Sequence, residues 1–373
     1  MKSKASRITL IGLFLILLYV PGIVWLIAGN QLETPNLENR ELAEWPAFSL
    51  KNIQKLPGKY EAYYLDHLPF RNQVIAGYAL GLKTVFDDAV VTTVNFGKDD
   101  WFIYNNIKDG DPIASYRGED LLSAAELRQI VMNLRKTQAN LASQGIDFVL
   151  FIAPNKERVY SEYMPDRFGE PAEDYGVRQL VDFLRAHTDI RVVYAYDELM
   201  QFKAENPDLP LYFRSDTHWN GLGAYIGARA LLRELGIDIP ALEAQNIEQF
   251  GDGYRGDLSR LTHLYDFTAG EALYTVRDDN RPNHNSLSDD GLTFHAQGDP
   301  QGKKVFFKND SFLAGMQPYV FPWFSECYSY FNHQYTSAQV DEFQPDIFVQ
   351  VLVERNVRST LSKGPIYQPA GTE

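Results

Sequence analysis

The chain has 373 residues, a formal net charge of −14 and 45% hydrophobic residues. That is enough apolar material for a substantial core in one or two globular domains. No basic stripe offsets the acidic balance, which excludes nucleic acid as an expected partner, and the single cysteine, Cys327, excludes an intrachain disulfide. The acidic excess reads as a solvated surface that disfavours a strongly anionic polymer except at a local basic cleft.

Taken in chain order, Lys2, Lys4 and Arg7 precede an uncharged run from Ile8 to Ala28. Such a run is long enough to cross a hydrocarbon core of about 30 Å as one helix. It exceeds the apolar region of about 7 to 15 residues usual in a signal peptide, and Pro21-Gly22 interrupts it. Residues 1–30 are therefore expected to be an uncleaved signal anchor, with a cleaved signal peptide as the alternative. The leading positive charges put the amino terminus inside and the body outside the cytoplasm, which predicts a single-pass cytoplasmic (inner) membrane protein with a periplasmic or extracellular domain.

Residues 31–119 read as a linker and lead-in segment. From about 120 to 360 the pattern alternates between helix and strand. Ser123-Ala124-Ala125-Glu126 has capping-box spacing and opens a helix to about Ser143, stopped near Gly145. Phe148 to Ile152 is a buried-strand run, followed by a helix around Tyr175 to His187, a strand from Arg191 to Tyr194, a helix from Asn220 to about Leu235, and further strands at Lys303–Lys308 and Ile347–Val353. This rhythm predicts an α/β fold with a largely parallel sheet covered by helices on both faces. Residues of about 240 to 300, rich in Gly, Asp and Asn, are expected to form loops and an antiparallel insertion. Residues 361–373, beginning to fray near Lys363, are expected to be a flexible tail.

Two motifs carry chemistry. Asp216-Thr217-His218-Trp219 lies between a strand-like start at Leu211 and a helix with Asn220 as its N-cap. In extended backbone an i, i+2 pair projects to one face, so the Asp216 carboxylate can hold one nitrogen of His218 and leave the other for a hydroxyl. Asn309-Asp310-Ser311-Phe312 follows an apolar strand at its carboxyl end, where open α/β sheets place reactive groups. A serine hydroxyl needs an imidazole and an orienting carboxylate to become a nucleophile. Asp216, His218 and Ser311 supply that set. The plain alternatives are a structural His–Asp hydrogen bond, the start of a metal site, and a helix cap at Asp310 or Ser311. The remaining histidines show no zinc-ligand spacing, so neither a metal nor a cofactor is expected. Asn155 and Lys156 after the Phe148 strand, Trp219 and Asn309, and Glu354-Arg355 after the Ile347 strand are secondary candidates for oxyanion or substrate contacts. Against them stand a turn with a surface lysine, a core tryptophan and an ordinary surface ion pair.

These motifs make the chain similar to the alginate O-acetyltransferase (AlgJ/AlgX-type) DHHW family of SGNH-hydrolase-like proteins, in which Asp-x-His-Trp precedes a later Asp-Ser-Phe. The likeness extends to Glu38-Asn39-Arg40, Asp66 to Arg71, Gly97-Lys98-Asp99-Asp100-Trp101-Phe102-Ile103-Tyr104, Pro154-Asn155-Lys156, Gly256-Asp257-Leu258 and Pro345-Asp346-Ile347. Asp100 stands where this family often has glycine, and Asn309 where many of the broader class do. The order Asp216, His218, Ser311 resembles a circular permutation of the usual serine-first arrangement. The resemblance implies transfer of acetyl groups to an exported polysaccharide through an acyl-serine. It also implies a multi-pass membrane acyltransferase partner to supply the acetyl groups. A polysaccharide acetyl esterase and a noncatalytic polysaccharide-binding scaffold are the rival readings.

Overall fold

The structure, a computed structural model, describes residues 4–28, 41–289 and 293–369. Lys2, Glu38-Asn39-Arg40, the sequence-predicted linker up to residue 40, and the tail beyond residue 369 lie outside the described residues. The chain divides into two compact units, residues 1–91 with 259–268, and residues 92–258 with 269–373. In the first unit the apolar run forms a helix, Lys4–Ala28, and two further helices follow at Leu56–Asp66 and Arg71–Phe86.

The second unit is built on eleven strands. β1 (Val94–Phe96) and β2 (Phe102–Tyr104) form an antiparallel hairpin. Its connection carries Asp99 at φ 52° and Asp100 at φ 59°. Glycine adopts that left-handed backbone without strain and aspartate is among the side chains that tolerate it, which accounts for the exchange at Asp100. β3 (Asp147–Ala153), β4 (Arg191–Tyr194), β5 (Ile247–Tyr254), β6 (Glu271–Val276), β7 (Asn285–Asp289), β8 (Thr293–Gln297), β9 (Lys304–Asn309), β10 (Glu326–Phe331) and β11 (Ile347–Val353) follow. β5 and β6 pair only with each other. Apart from the β1–β2 and β5–β6 pairs, the described strands form one sheet in the order β4-β3-β11-β9-β10-β8-β7.

From β4 to β10 all pairs are parallel, whereas β10–β8 and β7–β8 are antiparallel. The sheet is mixed: its pairings from β4 to β10 are parallel, as the alternating pattern predicts, and the antiparallel ones involve the segment of about 240 to 300 where an antiparallel insertion was expected. β7 and β8, separated by three residues in sequence, pair antiparallel, and β8 joins them to the β10 edge.

Period-two alternation divides the strands between two cores. Val149, Phe151, Val193, Val305, Phe307, Val349 and Val351 pack with the helices Gly221–Glu234 and Phe312–Val320 on one face. Phe148, Leu150, Ile152, Val192, Phe306, Phe348 and Leu352 pack with the helices Ala124–Ala142 and Gly176–His187 on the other. Burial on both faces explains why β3 and β11 read as continuous apolar runs, each such side chain contributing about 1.5–3 kcal/mol. The Ser123–Glu126 capping box is present.

Residues 364–369 do not fray. Tyr367 is wholly buried, its hydroxyl donates to Asp341, its carbonyl accepts from Asn140 Nδ2 at 2.9 Å, and Ile366 N donates to Thr137 Oγ1 at 2.8 Å. Gly and Pro spacing suggested fraying, but two apolar side chains in reach of an open helix face overrode it. Tyr367→Ala is expected to cost about 3 kcal/mol through the cavity and lost hydrogen bond, read as a lower denaturant midpoint. No change in midpoint would mean the segment is undocked.

Candidate active site

The parallel strands present their carboxyl ends along one edge, and the loops that follow β3, β9 and β11 carry Asn155, Ser311 and Glu354. Ser311 occupies the N-cap position of the helix Phe312–Val320, yet its side chain makes no capping bond. Asp310 does that work. Its buried carboxylate accepts from Phe312 N at 3.1 Å and from Val353 N at 2.6 Å, pinning the loop to β11, and its burial raises its pKa. The Ser311 hydroxyl is thereby left for His218, whose Nε2 lies 2.6 Å from Ser311 Oγ.

The opposite nitrogen, His218 Nδ1, lies 2.6 Å from Asp216 Oδ1. The backbone from Arg214 to His218 is a turn closed by a bridge between Tyr212 and Trp219, not the extended segment the i, i+2 spacing suggested. Asp216 Oδ1 also accepts from His218 N at 2.9 Å, and this local turn, favoured by Asp, is what overrides extension. Asp216 Oδ2 accepts from Tyr254 Oη at 2.6 Å and from Asp257 N at 2.9 Å. Burial pushes the Asp216 carboxyl up, but the hydrogen bond and charge of His218, with the Tyr254 and Asp257 donors, hold it well below the usual carboxylate range. Burial likewise opposes charging of His218. The Asp216 hydrogen bond and charge, with the charge of Asp257, outweigh it and raise the imidazole pKa.

Three residues that sequence reading did not assign complete this shell. Tyr254, the last residue of β5, and Asp257, which opens the short helix Asp257–Leu261, approach together. Asp257 accepts from Thr217 N at 2.8 Å and Thr217 Oγ1 at 2.7 Å, and its Oδ2 lies 3.9 Å from His218 Nδ1. Gly256 lets them in, since a Cβ there would lie 2.3 Å from Asp216 Cβ. Tyr254 has no sequence signal of its own; Gly256-Asp257 was visible only as part of a resemblance. Asp216, His218 and Asp257 bring potential ligand atoms within 4.8 Å of one another. Protein donors already engage both carboxylates, so the group fits a hydrogen-bonded relay better than a metal-ligand set.

The secondary candidates fall into two groups. Lys156 is no surface lysine: its ammonium is buried and donates to the carbonyls of Phe213 (3.3 Å), Arg214 (3.1 Å) and Asp216 (2.5 Å), with burial lowering its pKa. Trp219 is 3% exposed and donates from Nε1 to Phe312 O at 3.1 Å, tying the histidine loop to the serine helix rather than offering a face to a sugar. Asn309 is buried, donates from Nδ2 to Asp310 O at 2.9 Å and accepts at Oδ1 from Ser329 Oγ at 2.9 Å, which closes the end of β9. Glu354 is not half of a surface pair with Arg355. It is buried and takes Arg158 Nε at 3.3 Å, Ser115 Oγ at 3.1 Å, Tyr194 Oη at 2.9 Å and Asn155 N at 3.1 Å. Asn155 and Arg355 are tied to each other. Asn155 Oδ1 accepts from Arg355 N at 3.3 Å, and the Arg355 guanidinium, bonded to Asp109 at 3.2 Å, lies over Tyr104 and within 5.8 Å of the Phe312 ring centre.

An α/β sheet carrying a Ser–His–Asp arrangement at its carboxyl edge defines a hydrolase-like domain of the SGNH class. The family described as an SGNH hydrolase-like domain, acetyltransferase AlgX, matches residues 94–311, and this chain belongs to it. The probable alginate O-acetylase AlgJ of Pseudomonas syringae pv. tomato is 27% identical over 239 residues, 60% of this chain and 57% of that protein. Its counterpart in Pseudomonas aeruginosa is 26% identical over 194 residues, 50% of this chain and 45% of that one. The chain thus spans about half the length of these relatives. Among solved structures, Bacillus cereus PatB1 superposes with a TM-score of 0.54 at 15% identity, over 73% of this chain and 99% of that one. A DHHW family protein from Eubacterium siraeum gives 0.52 at 14% identity, over 75% and 99%. These two likenesses show the fold.

A raised imidazole pKa places the His218 titration above about 6.5, measurable by NMR, and Asp257→Asn is expected to bring it down by removing a nearby negative charge. The sign for stability follows: the contribution from charging His218 is full below about 6.5 and is lost as pH rises through the higher folded value. An unshifted midpoint in the variant would remove Asp257 from the electrostatics of the site. Gly256→Ala is expected to displace Asp216 and disorder the His218–Ser311 contact while the protein stays folded, seen as loss of the downfield Nδ1 proton signal.

Proposed function

We propose that this chain is a serine-dependent O-acetyltransferase that acts on an exported polysaccharide. The observation that carries the reading is His218 bonded on one side to Asp216 and on the other to a Ser311 relieved of capping by Asp310. In the first step Ser311 Oγ attacks the carbonyl carbon of an acetyl donor, and His218 Nε2 takes the hydroxyl proton and returns it to the leaving group. In the second, His218 removes the proton of a glycan hydroxyl, whose oxygen attacks the acetyl-serine; collapse frees Ser311, which regains its proton. The Ser311 amide at the start of the helix Phe312–Val320 and the side-chain amide of Asn155 are the donors we assign to the oxyanion.

Family membership supports acetyl transfer, and the names of the Pseudomonas relatives support alginate as the first acceptor to test. The helix spanning Ser6–Ile27, with mean hydropathy 2.6, supports an anchor in the cytoplasmic membrane, and the basic residues before it a periplasmic domain. An acetyl donor made in the cytoplasm then has to cross that membrane, which calls for a multi-pass acyltransferase partner.

The test is mass spectrometry of full-length protein and oligosaccharides after incubation with an activated acetyl ester. Wild type is expected to carry acetyl on Ser311 and pass it to a sugar hydroxyl, and folded Ser311→Ala to lose at least about 10⁴-fold of the transfer. The acid limb of the rate is expected above about pH 6.5, because His218 has to be neutral to act as base. Acetate release without sugar acetylation would convert the reading to an esterase, and unchanged acetylation by Ser311→Ala would sink it.

A further inference from the structure

The first unit exposes large apolar side chains at a density that the second does not. Trp45 is 58% exposed, Phe48 68%, Leu50 77%, Val74 66%, Tyr78 61% and Val85 70%. Within the helix Arg71–Phe86 these are not scattered: Val74, Tyr78 and Val85, with Gly77 and Gly81 between them, form one outward stripe at i, i+4, i+7 and i+11 spacing. A helix on a water-facing surface carries its polar residues on that side; here Ala79 is the buried residue and the outward stripe is apolar.

Two observations say what covers the stripe. The helix Lys4–Ala28 belongs to the same compact unit, and its end touches the helix Leu56–Asp66, where Trp25 meets Tyr64 edge-on at 5.8 Å between ring centres. The exposed stripe thus belongs to the same compact unit as an element of membrane-spanning length and composition. Residues 41–86 also carry five Lys or Arg against four Asp or Glu in a chain whose net charge is −14. Trp45 packs edge-on against Tyr60 and Tyr63 at 5.3 and 5.1 Å, giving the segment the aromatic content of a bilayer interface.

We propose that residues 45–86 form an interfacial membrane-binding module, with the outward face of the helix Arg71–Phe86 seated at the boundary of headgroups and acyl chains. The occupant is the lipid bilayer itself. Val74, Tyr78 and Val85 enter the apolar layer. The inference rests on the reading of Ser6–Ile27 as an anchor and goes beyond it, since one spanning helix alone leaves the following segment in water.

The test uses full-length protein reconstituted in vesicles of phosphatidylethanolamine and phosphatidylglycerol. A fluorophore is attached in turn at Val74→Cys, Val85→Cys, Leu15→Cys and Arg185→Cys; the native Cys327 is buried. Expected is quenching by shallow spin-labelled lipid at positions 74 and 85, with protection from aqueous iodide of roughly threefold or more relative to position 185. Position 15 reports the anchor through deep spin-labelled lipid. Quenching at 15 with iodide-accessible 74 and 85 would overturn the module and leave the anchor standing. No lipid quenching at 15 would overturn the anchor and the module with it. Iodide protection at 74 and 85 without lipid quenching would mean that a protein covers the stripe, which also overturns the proposal.

Discussion

A charged carboxylate out of contact with water is the constraint around which this site is organised. Asp216 is 3% exposed and receives four donors: His218 N, His218 Nδ1, Tyr254 Oη and Asp257 N. Uncompensated burial of such a charge costs several kcal/mol, so each donor is a condition for the next. The two His218 contacts require the tight turn at 216–218. The other two require the chain at 254–257 to press against that turn, which only a residue without Cβ at 256 permits. The buried Lys156 ammonium completes the arrangement by donating to the carbonyls of Phe213, Arg214 and Asp216, the second of which also accepts from Phe102 N. The contact with Ser311 is a consequence: an imidazole fixed at Nδ1 has one remaining nitrogen, and it lies 2.6 Å from Ser311 Oγ.

The same logic separates what was legible in the sequence from what was not. Asp216, His218 and Ser311 could be paired because the roles of acid, base and nucleophile are chemically distinct and each sat beside a recognisable strand or helix start. β3, β9 and β11 were legible because burial on both faces writes a continuous apolar run. The addition of β7 and β8 to the β10 edge was not, since antiparallel hairpin strands half open to solvent carry only short alternations. Lys156 and Glu354 misled for a shared reason. A charged residue in a turn after a strand reads as surface, and the partners that make burial tolerable lie far away in sequence: Phe213 to Asp216 for Lys156, Arg158 and Ser115 for Glu354.

Trp219 shows how one motif residue can be informative for a reason other than the one its chemistry suggests. An indole beside a histidine in a polar loop invites a sugar-stacking role. Instead its ring lies edge-on to Phe312 at 5.2 Å and its N–H holds the Phe312 carbonyl. It therefore sets the distance between the histidine loop and the serine helix, two segments 93 residues apart. A replacement that keeps hydrophobicity but loses the N–H would remove this tie between the histidine loop and the serine helix.

Net charge is a poor guide to which acceptor the site admits. Fixed charges are screened over about 8 Å at physiological ionic strength, so the acidic exterior at −14 is largely silent at Ser311. The local field is decided by the nearest groups. Arg355 lies over the rings of Tyr104 and Phe312 with one carboxylate partner, Asp109, and it opposes charging of His218; Asp257 favours it. A carboxylated sugar approaching Ser311 would therefore meet a guanidinium on one side and an acidic residue already committed to Thr217 on the other. That asymmetry, and not the overall acidity, governs how an anionic acceptor would be oriented, and it makes Arg355 the local basic element that composition alone could not locate.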